Sequence, residues 1–170
     1  MTSRLLWVDP NKCNGCMECE TACAMVKTGE QNPTRSRIRV IDWQQKGFYL
    51  PITCQQCETA PCMAICPKEA ISRNAQDQRV VVDYERCVSC RMCMAVCPFG
   101  AMKFDERTRM VFKCDLCEGR PACVPCCEPG ALTYSNTYLM HATRTRQAAA
   151  RVSTDRTMVS QDRKIHQQND

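Results

Sequence analysis

Apolar positions in this chain come in short runs broken by charged and polar residues. The clearest is Arg79-Val80-Val81-Val82-Asp83, β-branched with polar flanks, which predicts a strand. Ala70-Ile71-Ser72 has the same character, and the polar stretch from Arg73 to Gln78 reads as a turn between them. Residues 70–83 therefore predict a hairpin. A second is predicted upstream. Residues 35–43 (RSRIRVIDW) alternate charged and apolar side chains, Gln44 to Gly47 reads as a turn, and Phe48-Tyr49-Leu50 as the returning strand. No apolar run reaches the eighteen or so residues of a transmembrane helix. The opening MTSRLLWVDPNKC has no apolar signal region and no cleavage site, so a cytoplasmic location is expected. From 136 onward Gly, Pro and Cys vanish, and Arg144, Arg146, Arg151, Arg156, Arg163 and Lys164 dominate. Ala148-Ala149-Ala150 favours helix there. Residues 136–170 read as a polar basic tail or a docking arm that orders on a partner.

Composition changes the picture through one residue type. The chain has 170 residues and 17 cysteines, with aromatics at only 6%. Side-chain packing alone would give a modest core. In a reducing compartment structural disulfides are rare, and an odd cysteine count fits them poorly. Zinc or iron–sulfur clusters remain. The formal charge of +5 counts every thiol as neutral. Four [4Fe–4S] groups with their thiolates would add about −8, leaving about −3, so the basic balance is a weak argument for nucleic acid.

The cysteines fall into four groups. They are Cys13, Cys16, Cys19, Cys23; Cys54, Cys57, Cys62, Cys66; Cys87, Cys90, Cys93, Cys97; and Cys114, Cys117, Cys123 with Cys127. Groups one and three are spaced C-x2-C-x2-C-x3-C; group two widens the middle gap to four residues and group four to five. Three cysteines so spaced wrap a loop around a cube, and the fourth, entering a short helix, points to the other cluster of a pair. Zinc sites instead use two pairs separated by a longer stretch. Four such groups in one chain are an internal repeat of a cluster-binding unit. In CVPCCEPGAL the last interval from Cys123 lands on Cys127, and Gly130-Ala131 follows in the register of Gly100-Ala101 after Cys97. Cys126 is then the non-ligand.

The hairpin at 70–83 lies between groups two and three, so residues 48–105 read as a complete two-cluster ferredoxin. Groups one and four are left to form the second pair. The expected ligand sets are Cys54, Cys57, Cys62, Cys97; Cys87, Cys90, Cys93, Cys66; Cys13, Cys16, Cys19, Cys127; and Cys114, Cys117, Cys123, Cys23. The alternative pairs one with two and three with four. Against it, the interval from Cys97 to Cys114 leaves little room for a hairpin. The expected organisation is 1–23 with 106–135 as one unit, 24–47 as an insertion, 48–105 as the other unit, and 136–170 as the tail.

With these motifs, including Ala60-Pro61-Cys62 and Arg120-Pro121-Ala122-Cys123, the sequence resembles the four-cluster, ferredoxin-like iron–sulfur subunits of multi-subunit oxidoreductases. These accompany molybdenum- and tungsten-pterin enzymes, some hydrogenases and carbon monoxide dehydrogenases. The resemblance covers residues 5 to 135 and is nearest in type to the small subunit of tungsten-dependent aldehyde oxidoreductase. It implies an α+β fold of tandem ferredoxin-like units with small hairpins and short helices. It also implies the interleaved pairing of groups, four [4Fe–4S] clusters, a tungsten- or molybdenum-pterin catalytic partner and a flavin or other redox partner.

No catalytic constellation is visible. Both histidines, His141 and His166, lie in the tail, and there is no phosphate-binding glycine loop or nucleophile motif. The expectation is a non-catalytic electron-transfer subunit in a hetero-oligomer, with a subunit of a hydrogenase or carbon monoxide dehydrogenase system, or a free ferredoxin, as the alternative. A zinc module binding nucleic acid is a remote one, since the tail lacks aromatics for base stacking. Met17, Met63, Met92, Met94 and Met102 read as packing around the cysteine loops. Lys12, Arg86 and Lys113 each precede the first cysteine of a group and read as solvated charges, with contact to a cluster as the alternative. Trp43 reads as an interface anchor or a surface-covering side chain.

Overall fold

A computed structural model describes residues 4–43, 47–146 and 148–150. The described residues up to 134 form one compact unit. Its elements are β1 (Arg4–Val8), α1 (Glu18–Thr28), β2 (Arg39–Trp43), β3 (Phe48–Ile52), α2 (Pro61–Ala64), β4 (Ile71–Arg73), β5 (Val80–Val82), α3 (Met92–Ala95), β6 (Lys103–Asp105), β7 (Met110–Phe112) and β8 (Leu132–Asn136). The strands make four separate two-stranded sheets: β1 with β8, β2 with β3, β4 with β5, and β6 with β7.

The sheets alternate with the cysteine groups. The predicted hairpin at 70–83 is β4–β5, antiparallel with Ile71 opposite Val82. Arg73, expected in its turn, is the last residue of β4, opposite Val80. The upstream hairpin is β2–β3, with Trp43 opposite Phe48. Its first strand is shorter than the charge alternation predicts. Asn32 accepts a hydrogen bond from the Thr34 N–H and starts a 3-10 turn at Pro33–Arg35, so pairing begins only at Arg39. The turn expected at 44–47 lies outside the described residues except for Gly47. A hairpin absent from the sequence reading, β6–β7, fills the interval between Cys97 and Cys114. Three residues per strand suffice there, so the length of that interval does not argue against pairing groups three and four.

Helix lengths follow from what comes after each cysteine group. Pro67 and Pro98 follow Cys66 and Cys97, and α2 and α3 have four residues each. Cys23 is followed by Ala24, and α1 runs eleven residues until Gly29 caps it in the left-handed conformation. The short helix expected of every group is thus a long one in group one, and in group four residues 122–126 form turns instead. α1 crosses residue 23, and β2–β3 joins the two sides of residue 47.

Two core clusters sit around the cysteines. One gathers Leu6, Ile38, Val40, Leu116 and Leu132 around Cys19, Cys23, Cys114 and Cys123. The other gathers Ile71, Val80, Met102 and Val111 around Cys93, with Cys57, Cys62, Cys66, Cys87 and Cys97 packed against it. Polar bonds join the two regions. Gln56 donates to the Cys114 carbonyl at 2.9 Å and accepts from the Val80 N–H at 2.8 Å. Arg79 donates to the Asp115 carbonyl at 2.9 Å, and Arg35 pairs with Asp105 at 2.8 Å. Asp115 also binds Lys27 at 2.8 Å and Arg37 at 2.6 Å. Burial alone would raise its pKa, but these two cations and the Cys117 N–H hold the carboxyl below the ordinary range.

Glu20 is buried in α1, where its carboxylate accepts the Val40 N–H at 2.6 Å and pairs with Arg39 at 3.0 Å. It fastens α1 to β2. Glu20→Ala leaves a buried backbone N–H unpaired and is expected to destabilise the fold by about 2–4 kcal/mol, read as a lower unfolding midpoint in denaturant. Residues 137–146 and 148–150 are helical, in agreement with the helix favoured at Ala148–Ala150; residues 151–170, with Arg151, Arg156, Arg163, Lys164 and His166, lie outside the described residues. No described helix is long and apolar enough to cross a membrane.

Candidate iron–sulfur centres

Each cysteine loop bends in the same way. The second residue after the first cysteine has positive φ in all four groups: Gly15 at 77°, Gln56 at 51°, Ser89 at 51° and Leu116 at 57°. The residue after the second cysteine repeats this in three: Met17 at 60°, Arg91 at 65° and Glu118 at 55°. Left-handed backbone is unfavourable for non-glycine residues, and its recurrence at matched positions shows that the groups share a loop geometry. Gly15 is the one of these positions that lacks a side chain, and a Cβ there would clash with the edge of the Tyr49 ring, under 3 Å from three of its carbons. Gly15→Ala is expected to lower the apparent melting temperature and accelerate iron loss, by a destabilisation of about 2 kcal/mol.

The loops bring cysteines together across groups. Cys54, Cys57 and Cys62 ring one cavity with Cys97, which comes from group three. Cys87, Cys90 and Cys93 ring another with Cys66, which comes from group two. Cys123 has Cys114, Cys23 and Cys117 as its foremost charged neighbours, and burial followed by that company pushes its thiol pKa up. Cys19 is raised to about 12, first by burial and then by Cys126, Glu20, Cys127 and Cys13. Cys16 and Cys90 are exposed; the other cysteines are half-buried or buried.

The strand pairing carries the same relation. β4 leaves Cys66 and pairs with β5, which leads to group three; the Asp83 N–H donates to the Ala70 carbonyl at 2.7 Å. β8 leaves Cys127 and pairs with β1, which leads to group one; the Asp9 N–H donates to the Ala131 carbonyl at 2.8 Å. Asp83 and Asp9 each precede their group's first cysteine by four residues.

The turn after the last cysteine also repeats. Glu69, Gly100 and Gly130 have φ of 47°, 59° and 68°, and each donates its N–H to the carbonyl three residues before, of Cys66, Cys97 and Cys127. Buried Ala70, Ala101 and Ala131 follow. Cys127 is therefore the residue in backbone register with Cys66 and Cys97. Cys126 donates its thiol to the Cys123 carbonyl at 3.3 Å. Both sulfurs lie near Cys19, so proximity alone does not separate them.

The donor set fits cubic clusters. Four thiols surround each of two cavities, and N–H groups already point at sulfur: Arg37 at Cys23 and Ala70 at Cys66, both 3.3 Å, and Ala101 at Cys97, 3.4 Å. The buried Thr53 hydroxyl has no oxygen or nitrogen partner among the described residues and sits against the Cys114 sulfur. Raised thiol pKa values are the expected state of such sites without metal, because bound iron supplies the positive charge that thiolates need.

Lys113, Met17 and Met92 depart from their sequence readings. Lys12 and Arg86 are exposed as expected, but Lys113 is buried. Met102 is buried and Met63 and Met94 pack on the core, whereas Met17 and Met92 are exposed at 40% and 44%. Trp43 is also exposed, its ring 6.3 Å from that of Phe48. The sequence favoured a solvated Lys113 over one in contact with a cluster, because a lysine ahead of a cysteine carries no signal of burial.

Residues 45–137 match the 4Fe-4S dicluster domain family. The chain is 40% identical over 132 residues to the beta subunit of NADH-dependent phenylglyoxylate dehydrogenase of Aromatoleum evansii, covering 76% of this chain and 29% of that subunit. It is 38% identical over 124 residues to the polyferredoxin-like subunit of aliphatic sulfonate oxidoreductase of Pyrococcus furiosus, covering 72% of this chain and 71% of that one. It is 34% identical over 148 residues to a subunit of the anaerobic dimethyl sulfoxide reductase of Escherichia coli, covering 75% and 71%. The protein belongs to the 4Fe-4S dicluster domain family.

Proposed function

We propose that this chain carries four [4Fe–4S] clusters and relays electrons between a catalytic oxidoreductase subunit and a second redox partner. When bound, each such cluster accepts or releases one electron. The observation that carries the reading is the crossing of cysteines between groups. Two cavities are each ringed by three cysteines of one group and the fourth of another. Exchange of the fourth ligand holds two clusters close. The β1–β8 pairing repeats the β4–β5 arrangement for groups one and four, which supports a second pair built the same way. The ligand sets are those expected from the sequence, with Cys126 outside them.

The chain's own residues bind, shield and orient. Ala70, Ala101 and Arg37 aim N–H groups at sulfur, and the apolar core around Val80 and Met102 excludes water. The chain itself is assigned no substrate chemistry. The proposed catalytic partner is a tungsten- or molybdenum-pterin subunit, and the proposed second partner a flavin subunit or another redox protein. The basic tail is proposed as the docking arm. Deleting residues 141–170 is expected to loosen the complex in size-exclusion chromatography while leaving iron content unchanged; normal assembly would remove that role.

Anaerobic purification of the complex through a tag on this chain, followed by Fe, W, Mo and Zn analysis, tests the reading. Iron with stoichiometric tungsten or molybdenum supports it. Iron with neither metal would move the partner to another oxidoreductase class. Zinc with little iron would overturn it.

A further inference from the structure

Lys113 is 3% exposed, yet it forms no ion pair with an acidic side chain among the described residues. Its ammonium group donates to the carbonyls of Val80 and Cys114, the latter at 2.8 Å, and stands 3.6 Å from the Cys54 sulfur. It lines the same cavity as Cys54, Cys57, Cys62 and Cys97. A buried charge is costly unless paired, and two neutral carbonyls supply hydrogen bonds but no counter-charge. The only concentration of negative charge this cavity can offer is a cluster with its four thiolates, about −2 when oxidised and one unit more when reduced.

We propose that Lys113 is the built-in counter-charge of the cluster held by Cys54, Cys57, Cys62 and Cys97, and that it raises the reduction potential of that cluster. The inference rests on the four-cluster reading and adds a residue that no ligand motif contains. Attraction between the ammonium and the cluster grows when an electron arrives, so the reduced state gains more than the oxidised one. The position adds a consequence. Lys113 bridges Cys54 of group two and the backbone of Cys114, the first cysteine of group four. It therefore sets the potential at the seam where the two pairs meet. Lys12 and Arg86, at the equivalent positions of groups one and three, are exposed, so solvent screens their charge.

The test is potentiometric titration of the anaerobically purified complex, followed by electron paramagnetic resonance, for wild type and for Lys113→Met, Lys113→Gln and Lys113→Arg. In the Met and Gln variants one cluster is expected to become harder to reduce by about tenfold in its equilibrium constant, which is about 59 mV for a one-electron couple. The remaining potentials stay put, and Arg restores the shifted one. Unchanged potentials in iron-replete neutral variants would overturn the proposal while leaving the four-cluster reading intact. Should the neutral variants lose iron, the wild-type protein labelled with 15N-lysine decides. Spin-echo modulation from a lysine nitrogen at one reduced cluster supports the assignment, and its absence overturns it. Wild-type iron content tests the four-cluster reading separately, since a count of about eight atoms would defeat that reading whatever Lys113 does.

Discussion

Cys127→Ala is expected to lower iron by up to about four atoms per chain, or to convert one cluster to a three-iron form, while Cys126→Ala leaves the iron content of the wild type. Adjacent cysteines make this a demanding comparison, because both sulfurs lie near Cys19 and chemistry alone would accept either. The backbone separates them. The left-handed turn at Gly130, closed by its N–H on the Cys127 carbonyl at 2.9 Å, is the turn found three residues after Cys66 and Cys97. Cys126 lies one residue out of that register and spends its thiol proton on the Cys123 carbonyl. Iron and sulfide analysis of the two purified variants, with resonance spectra of the reduced proteins, reads the difference directly. Iron loss from Cys126→Ala with retention in Cys127→Ala would reverse the assignment.

Removing iron is expected to cost the fold itself. The buried cores are built largely around cysteines, with Cys19, Cys23, Cys114 and Cys123 inside one and Cys93 inside the other. The sheets between them have only two strands each, too few to be stable alone. Chelation under mild oxidation should therefore collapse the cooperative unfolding transition, and circular dichroism with proteolysis would record it. A metal-free chain that keeps the unfolding transition of the iron-loaded protein would refute this dependence.

Much of the site was legible in the sequence because cluster ligation is written in spacing. The four groups, the Cys127 register and the hairpin at 70–83 needed only intervals and β-branched runs. The fold around them was harder to read. β6 and β7 have three residues each, too short for alternation to stand out between Cys97 and Cys114. β1 and β8 lie at opposite ends of the unit, and nothing local in Arg4–Val8 announces its partner. The length of α1 was half-visible: Ala24 stands where the other groups carry a proline or, in group four, Glu128 ahead of Pro129. The burial of Lys113, read first as a solvated charge with cluster contact as the alternative, could not be seen in the sequence for a physical reason. Its burial depends on Val80, Cys54 and Cys114 meeting in space, and those residues come from three different elements of the repeat.

Iron and acid-labile sulfide per chain, measured with Mössbauer spectra on the anaerobically purified protein, count the clusters. About sixteen iron atoms in cubic clusters attributable to this chain are expected. About eight, with groups one and four free of iron, would leave a single pair and overturn the four-cluster wire.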